Sequence, residues 1–376
     1  MVRNWDAIVI GGGPAGSTAA RTLSAKGLKV ILLERHAYPR SKACGGGLVR
    51  RSVSQLPLDA ATLGGVSCPT AVLKDAENSL HFRLSRDNPL VVVVTREVLD
   101  AALAREAISK GVELREGSSV IGMERTDTEW VVRTSDGYAV RAKYIVAADG
   151  SNSTVARLME WPHPRRAPAI ECDMPREFLS RHEAGTVVFD FLRRGYGWVF
   201  PKSDTVVNLG IISMVKGSVH LRATFDQYLK SYGIARRSTM KTIGYTVPIR
   251  PRRGRLAQRG VFLTGDAAGL ADPLTAEGIS AAMISGRLAG EAIVGALMFS
   301  RENSSAERTY EKLLSEIVRD LRFGRVFAGA FYDIGWVRRR ILRSTSSAVP
   351  SLQRVFDGST NYMQEVKRLM RLRSER

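Results

Sequence analysis

Residues 7–34 read AIVIGGGPAGSTAARTLSAKGLKVILLE, and this stretch decides the fold. Residues 7–10 form a short apolar run without alternation, the pattern of a strand buried on both faces of a parallel sheet. Gly11, Gly13 and Gly16 then fall at the spacing G-x-G-x-x-G. From Pro14 to Ala25 the residues are mostly small and helix-compatible, and Gly27 supplies a stop. A second apolar run, Val30–Leu33, ends in Glu34. The spacing predicts strand, glycine turn, helix, strand and acid within about 30 residues.

Each part has a physical reason. Glycines permit the tight turn and let backbone approach a pyrophosphate. The helix N-terminus offers that anion free N–H groups and a partial positive charge. A carboxylate at Glu34 is placed to accept hydrogen bonds from both ribose hydroxyls, and it repels a 2′-phosphate. The unit therefore predicts a dinucleotide site that disfavours NADP. No second G-x-G-x-x-G unit follows, so no separate nicotinamide-nucleotide domain is expected.

Further along, residues 91–94 read as another buried strand, and Thr95 is placed to cap a helix that ends at Gly111. Arg96 falls in the first turn of that helix, where a cation is unfavourable unless an anion is near. It is either a cofactor contact or an exposed arginine. Residues 112–120, 130–133 and 139–146 read as strands, the last running into Asp149-Gly150. At 261–264 an apolar run precedes Gly265-Asp266, and a small-residue helix is expected from about 278 to 298. Asp266 is well placed for a sugar-like hydroxyl.

The set of fingerprint with Glu34, Asp149-Gly150 and Gly265-Asp266 resembles the para-hydroxybenzoate hydroxylase-like flavoproteins over roughly residues 5–300. Two more motifs, Lys42-Ala43-Cys44-Gly45-Gly46-Gly47 and Tyr196-Gly197-Trp198-Val199-Phe200-Pro201-Lys202, are similar to those of the geranylgeranyl reductase family. The run 271–279 is similar too, although that family more often has Gly where this chain has Ala276. The resemblance implies FAD as cofactor. It implies contacts at Gly11, Gly13, Ala15, Gly16, Glu34, Arg35, Cys44, Gly45, Gly47, Arg96, Val120, Asp149, Asp266, Gly278 and Ile279. It also places Tyr196 and Trp198 beside the flavin, and with Cys44 these are the candidate catalytic residues. Two apart on a strand, Tyr196 and Trp198 face the same way, and a core role remains the alternative. Cys44 is alternatively a small buried residue.

The expected fold is α/β. A discontinuous Rossmann-like FAD-binding domain of the glutathione reductase type is assembled from 1–65, 90–160 and 245–300. An antiparallel β-sheet substrate domain takes 66–89 and 161–244, and a basic helical region takes 301–376. The implied activity is saturation of trisubstituted double bonds in a geranylgeranyl chain. A flavin monooxygenase or halogenase on the same scaffold is the alternative, because halogenases carry a comparable W-x-W-x-I-P run.

Composition adds bounds. A chain of 376 residues with 44% hydrophobic content supports a substantial core. Cys44, Cys68 and Cys172 show neither a C-x-x-C pair nor metal spacing, so no metal is expected and a reducing compartment is the default. The first strand begins almost at once and no signal-peptide pattern precedes it, so a cytoplasmic monomer is expected. The apolar stretch 279–299 contains Arg287 and Glu291 and reads as the helix after the Gly-Asp pair rather than a membrane span. The formal net charge of +19 favours acidic partners: anionic lipid, or a ferredoxin-like electron donor with NAD(P)H as the alternative. No nucleic-acid motif is present. Basic residues concentrate late, at Arg338, Arg339, Arg340, Arg343, Lys367, Arg368, Arg371, Arg373 and Arg376. Between and around them lie Phe323, Val326, Phe327, Phe331, Tyr332, Ile334, Trp336, Ile341 and Leu342. This suits either a helix in an anionic membrane interface or a basic tail packed on the core.

Overall fold

The computed structural model describes the chain except residues 1–2, 76–79, 86, 180–182, 215–219, 236–239, 299–304, 344–349, 352–353, 356–358, 366 and 369–376. The opening stretch folds as its pattern predicts: strand Arg3–Ile10, helix Pro14–Ser24, strand Val30–Leu33. These strands pair in parallel with each other and with Ala139–Ala147 and Glu113–Arg115. Val261–Leu263 extends the sheet beside Ala139–Ala147, so strands far apart in sequence share one eight-stranded sheet. The single strand expected at 112–120 is two, Glu113–Arg115 and Val120–Arg125. Gly117, at φ 68°, turns the chain between them.

A seven-stranded sheet runs in the order Thr242–Pro248, Arg166–Pro175, Val206–Ser213, Gly195–Pro201, Thr186–Leu192, Thr70–Asp75, Leu80–Ser85. Neighbours are antiparallel except Thr186–Leu192 with Thr70–Asp75, which are parallel. The expected boundary at 244/245 falls inside Thr242–Pro248, which pairs along its length with the strand Arg166–Pro175. One face of this sheet packs Val188, Val199 and Leu209 against Phe225 and Leu229 of the helix Leu221–Ser231. The other carries Tyr196, Trp198, Phe200 and Ile212. A three-stranded sheet, Gly47–Val49, Val91–Val93 and Val66–Cys68, completes the β-structure.

Helix Ile279–Met298 is long and apolar enough to cross a membrane by length and composition. Here it packs between Pro14–Ser24 and Ala306–Asp333. Gly286 faces the Ala15 backbone so closely that a Cβ would overlap it, and a Cβ on Gly290 would come within 2.9 Å of Thr22.

The basic, aromatic C-terminal run divides between the helices Ala306–Asp333 and Gly335–Arg343. Phe331, Tyr332 and Leu342 are buried, whereas Phe323, Val326, Ile334 and Trp336 are exposed. Arg338 departs from the expected basic surface and is 1% exposed. Its Nε donates to Asp75 Oδ2 at 2.7 Å and its Nη1 to the Leu192 carbonyl at 3.0 Å, tying the C-terminal region to the second sheet. The sequence reads as three equivalent arginines because nothing local distinguishes the one that meets a carboxylate 263 positions away. Arg371, Arg373 and Arg376 lie outside the described residues.

Arg338→Ala leaves the Asp75 carboxylate buried without its guanidinium, which is expected to cost about 3–5 kcal/mol. The exposed neighbour Arg339→Ala is expected to change stability by less than about 0.5 kcal/mol. Denaturant unfolding of both variants beside the parent checks this, and equal midpoints for all three would refute the tie.

Candidate functional site

The first glycine loop is built to receive an anion. Gly11 adopts φ 96°, and a Cβ there or on Gly16 would strike backbone. Gly13 occupies the N-cap of Pro14–Ser24 with no side chain satisfying the first turn, so those N–H groups point outward unpaired. Two guanidiniums flank the loop: Arg40 and Arg96 both lie 3.7 Å from where a Gly13 Cβ would stand. Glu34, 4% exposed, accepts Gly12 N–H at 2.8 Å and His36 N–H at 3.1 Å, and Arg40 Nε lies 3.3 Å from it. Arg96 is buried rather than exposed, which closes that alternative. Its guanidinium grips Asp100 through two bonds, at 2.9 and 2.7 Å; burial works to lower its pKa, but the Asp100 carboxylate outweighs this and raises it. Thr95 stands at the N-cap of Arg96–Ile108 but its hydroxyl makes no capping bond, so the first-turn N–H groups stay available near the same loop.

The second loop converges on the first. Gly265, at φ 50°, leaves 3.2 Å between its virtual Cβ and Ala15 Cβ, and 3.1 Å to Ala282 Cβ. Asp266 follows, with Lys42 Nζ 3.5 Å from its Oδ2. Gly278 sits beside it, its virtual Cβ 3.4 Å from Asp266 Oδ1. Residues 272–278 form a tight turn. Asp272 Oδ1 accepts Leu274 N–H and Thr275 N–H at 2.9 and 2.8 Å. Tyr362 donates to Asp272 at 2.8 Å, Tyr332 to the Leu274 carbonyl at 2.6 Å, and Tyr196 to the Thr275 carbonyl. Ala276 takes φ 56°, a left-handed conformation that costs a non-glycine residue about 1 kcal/mol.

Between the loops and the second sheet lies a cavity of about 380 Å³. Here the two family-like motifs meet. A Cβ on Gly45 would come within 3.1 Å of Trp198 Nε1, and one on Gly47 within 3.0 Å of Phe200. Trp198 lies flat over Gly210, where any Cβ would overlap its ring. Its Nε1 donates to Asn208 at 2.7 Å, Asn208 donates to Asp173 at 2.7 Å, and Lys202 Nζ lies 3.1 Å from Asp173. Phe189 and Tyr196 centroids are 6.0 Å apart, and Tyr196 and Trp198 centroids 6.1 Å. Ala71, Leu73, Leu84 and Leu90 extend the apolar wall. Desolvation holds the Tyr196 hydroxyl in its neutral form over the whole working range.

Of the residues expected at a site, Gly13, Ala15, Arg35, Cys44, Gly45, Gly47, Arg96, Tyr196, Trp198, Asp266, Gly278 and Ile279 line this cavity. Gly11, Gly16 and Glu34 stand just behind it in the loop. Asp149 lies behind the wall, accepting Val155 N–H at 3.0 Å, while its neighbours Gly150 and Ser151 face the cavity. Burial raises its pKa, and its Oδ1 is a buried oxygen lacking a partner among the described residues. Val120 opens the strand Val120–Arg125 and packs against the eight-stranded core outside the cavity. Cys44 Sγ accepts Gly46 N–H at 3.4 Å. Cys68 is a different thiol, buried and pushed up to about 12 by desolvation. Sequence reasoning missed Lys42, Gly210, Asn208, Glu171 and Tyr245. Glu171 carried a signal, a carboxylate within the apolar run AIECDM.

Comparison with known proteins agrees with this geometry. An FAD binding domain model matches residues 4–173. A digeranylgeranylglycerophospholipid reductase of Picrophilus torridus is 28% identical, over 84% of each chain. The chloroplastic geranylgeranyl diphosphate reductase of Arabidopsis thaliana is 31% identical, over 76% of this chain and 65% of its own. A geranylgeranyl bacteriochlorophyll reductase-like structure from Thermoplasma acidophilum superposes with a TM-score of 0.83 at 22% identity, covering 99% of this chain and 100% of its own. A myxobacterial FAD-dependent halogenase shares the fold less closely, at TM-score 0.73 and 22% identity over 95% and 90% of the two chains. The glycine cradle, the carboxylates Glu34 and Asp266 at its two ends and the flanking guanidiniums fit FAD. The chain thus carries an FAD-binding domain and is similar along most of its length to the geranylgeranyl reductases.

Proposed function

We propose that the protein saturates trisubstituted double bonds of a geranylgeranyl chain. One observation carries the reading: an apolar cavity bounded on one side by the two glycine loops and on the other by Tyr196, Trp198 and Phe200. Gly13, Arg96, Asp266 and Gly278 would hold the cofactor. When bound and reduced, FAD supplies a hydride. An unactivated alkene accepts hydride poorly unless a proton reaches the other carbon. Positive character then develops on the more substituted carbon, and the faces of Tyr196 and Trp198 stabilise it in a dry pocket. The names of the relatives support an isoprenoid substrate. The electron donor in this reading is an acidic ferredoxin-like protein, drawn by the +19 charge; NAD(P)H is the second candidate.

Incubated without oxygen with chemically reduced FAD and an isoprenoid panel, the protein is expected to add two hydrogens per double bond, read as product mass. Product that forms only with oxygen, carrying an oxygen or a halogen, would instead support the monooxygenase or halogenase alternative, which the shared fold keeps in play.

Cys44 serves here to shape the flavin face, its thiol turned back to its own loop. Cys44→Ser is therefore expected to lower kcat less than about tenfold. A fall of about 10²–10⁴, the range of lost general acid catalysis, would make the thiol the proton donor instead. Single-turnover oxidation of reduced enzyme by substrate separates the two.

We also propose that the exposed Phe323, Val326, Ile334 and Trp336, set among Arg322, Arg325, Arg339 and Arg340, dock the protein on the cytoplasmic face of an anionic membrane. Each surface cation adds about 1 kcal/mol of attraction. The protein is expected to co-sediment with phosphatidylserine vesicles at low salt and to be released at high salt. The double variant Val326→Ser/Trp336→Ser should weaken this, and equal binding by parent and variant would overturn the proposed surface.

A further inference from the structure

The fold brings a buried acid to the cavity wall that the reading above leaves unused. Glu171 lies in the strand Arg166–Pro175, on the face shared with Ala167 and Ala169, and is 3% exposed. Its Oε1 accepts Cys44 N–H at 2.9 Å, and its Oε2 pairs with the Tyr245 hydroxyl at 3.1 Å. Cys44 and Tyr245 both line the cavity, and Glu171 stands behind them. In the sheet register Gly210 lies opposite both Glu171 and Trp198, so the acid sits one strand from the indole that covers Gly210. A carboxyl is thus sealed from water and touches the cavity through a tyrosine hydroxyl.

The charges around it do not restore ordinary acidity. Desolvation raises its pKa more than Lys202, the Cys44 N–H and the Tyr245 hydroxyl lower it, and Asp173 on the same strand adds to the rise. The Tyr245 hydroxyl donates to Oε2 as the pair stands; a protonated Glu171 would instead donate its own O–H to the tyrosine oxygen and free the Tyr245 hydrogen to turn toward the cavity.

We propose that Tyr245 delivers the proton to the alkene and that Glu171 reloads it. The inference rests on the reductase reading. The π pair of the double bond forms a new C–H bond with the Tyr245 proton while the tyrosine oxygen takes the Glu171 proton. The other alkene carbon would take the hydride that FAD, when bound and reduced, supplies, so the electron pair comes from the cofactor. One proton and one hydride make the two-electron reduction. Glu171 is left as a carboxylate held by Cys44 N–H and regains its proton through the Tyr245 hydroxyl, which takes one from water entering the cavity between turnovers. Tyr245 is the catalytic member of the pair, and Glu171 acts through it.

Two measurements on the FAD-loaded protein test this. Infrared difference spectra of parent against Glu171→Gln should show, at neutral pH, the carbonyl stretch of one protonated carboxyl, shifted in D₂O and missing in the variant. A carboxylate signature instead overturns the proposal. In anaerobic turnover, Glu171→Gln and Tyr245→Phe should each lower kcat by about 10²–10⁴, with KM and FAD absorbance unchanged. Glu171→Asp should restore part of the loss. The parent rate should fall as pH rises through the elevated Glu171 pKa, because the donor is lost on ionisation, and the remaining rate of Glu171→Gln should lack that limb. Near-parental kcat in both variants overturns the proton route while leaving the reductase reading intact. A parent enzyme that saturates no isoprenoid overturns the reductase reading and this step with it, whatever the infrared band shows.

Discussion

The close approach of two helices without intervening side chains is the constraint on which this structure depends. Gly286 and Gly290 let Ile279–Met298 lie against the backbone of Pro14–Ser24. Gly265 removes the one Cβ that would hold Ala15 and Ala282 apart. The contact gains dispersion over a long seam. It also brings together the N-termini of helices that begin 265 residues apart in the chain. Each loop alone offers a few N–H groups and a carboxylate. Set side by side they span a dinucleotide, with Glu34 at one end and Asp266 at the other. A side chain in the seam would separate the loops by more than a hydrogen bond tolerates, so the site needs the packing more than it needs any single contact.

A second set of glycines does the same for the reaction cavity. Gly45 and Gly47 pass within van der Waals distance of Trp198 and Phe200, and Gly210 gives the indole a flat bed. The aromatic wall is therefore brought up to the cofactor loop with no aliphatic layer between. The indole N–H still has its partner, Asn208, which is oriented by Asp173. A buried donor left without one is costly, so this polar chain is what permits so large a ring to lie buried in an apolar wall.

Local pattern explains what was legible in the sequence. Glycine spacing, an acid at a strand end and the Y-x-W-x-F-P-K run are read within a few residues. They placed the cofactor loops and the cavity wall. Pairing between distant strands has no such signature. Glu171 meets Cys44 across 127 positions and Tyr245 across 74, and Arg338 meets Asp75 across 263. Each looks like an ordinary charged residue until the fold supplies its partner. Arg96 is intermediate. Its place in a helix first turn flagged an anion nearby, but the first anion it meets is Asp100, four residues on in its own helix.

The turn 272–278 joins these arguments. Its backbone forms part of the cavity wall, and three tyrosine hydroxyls from separate regions hold it: Tyr196 from the second sheet, Tyr332 and Tyr362 from the C-terminal region. The left-handed Ala276 is tolerated because these bonds over-determine the turn, where a freer loop would relax to an ordinary conformation. The C-terminal helices are thus part of the site's construction as well as its outer surface. Arg338 fixes them to the second sheet, and Tyr332 and Tyr362 carry that attachment to the loop beside Asp266.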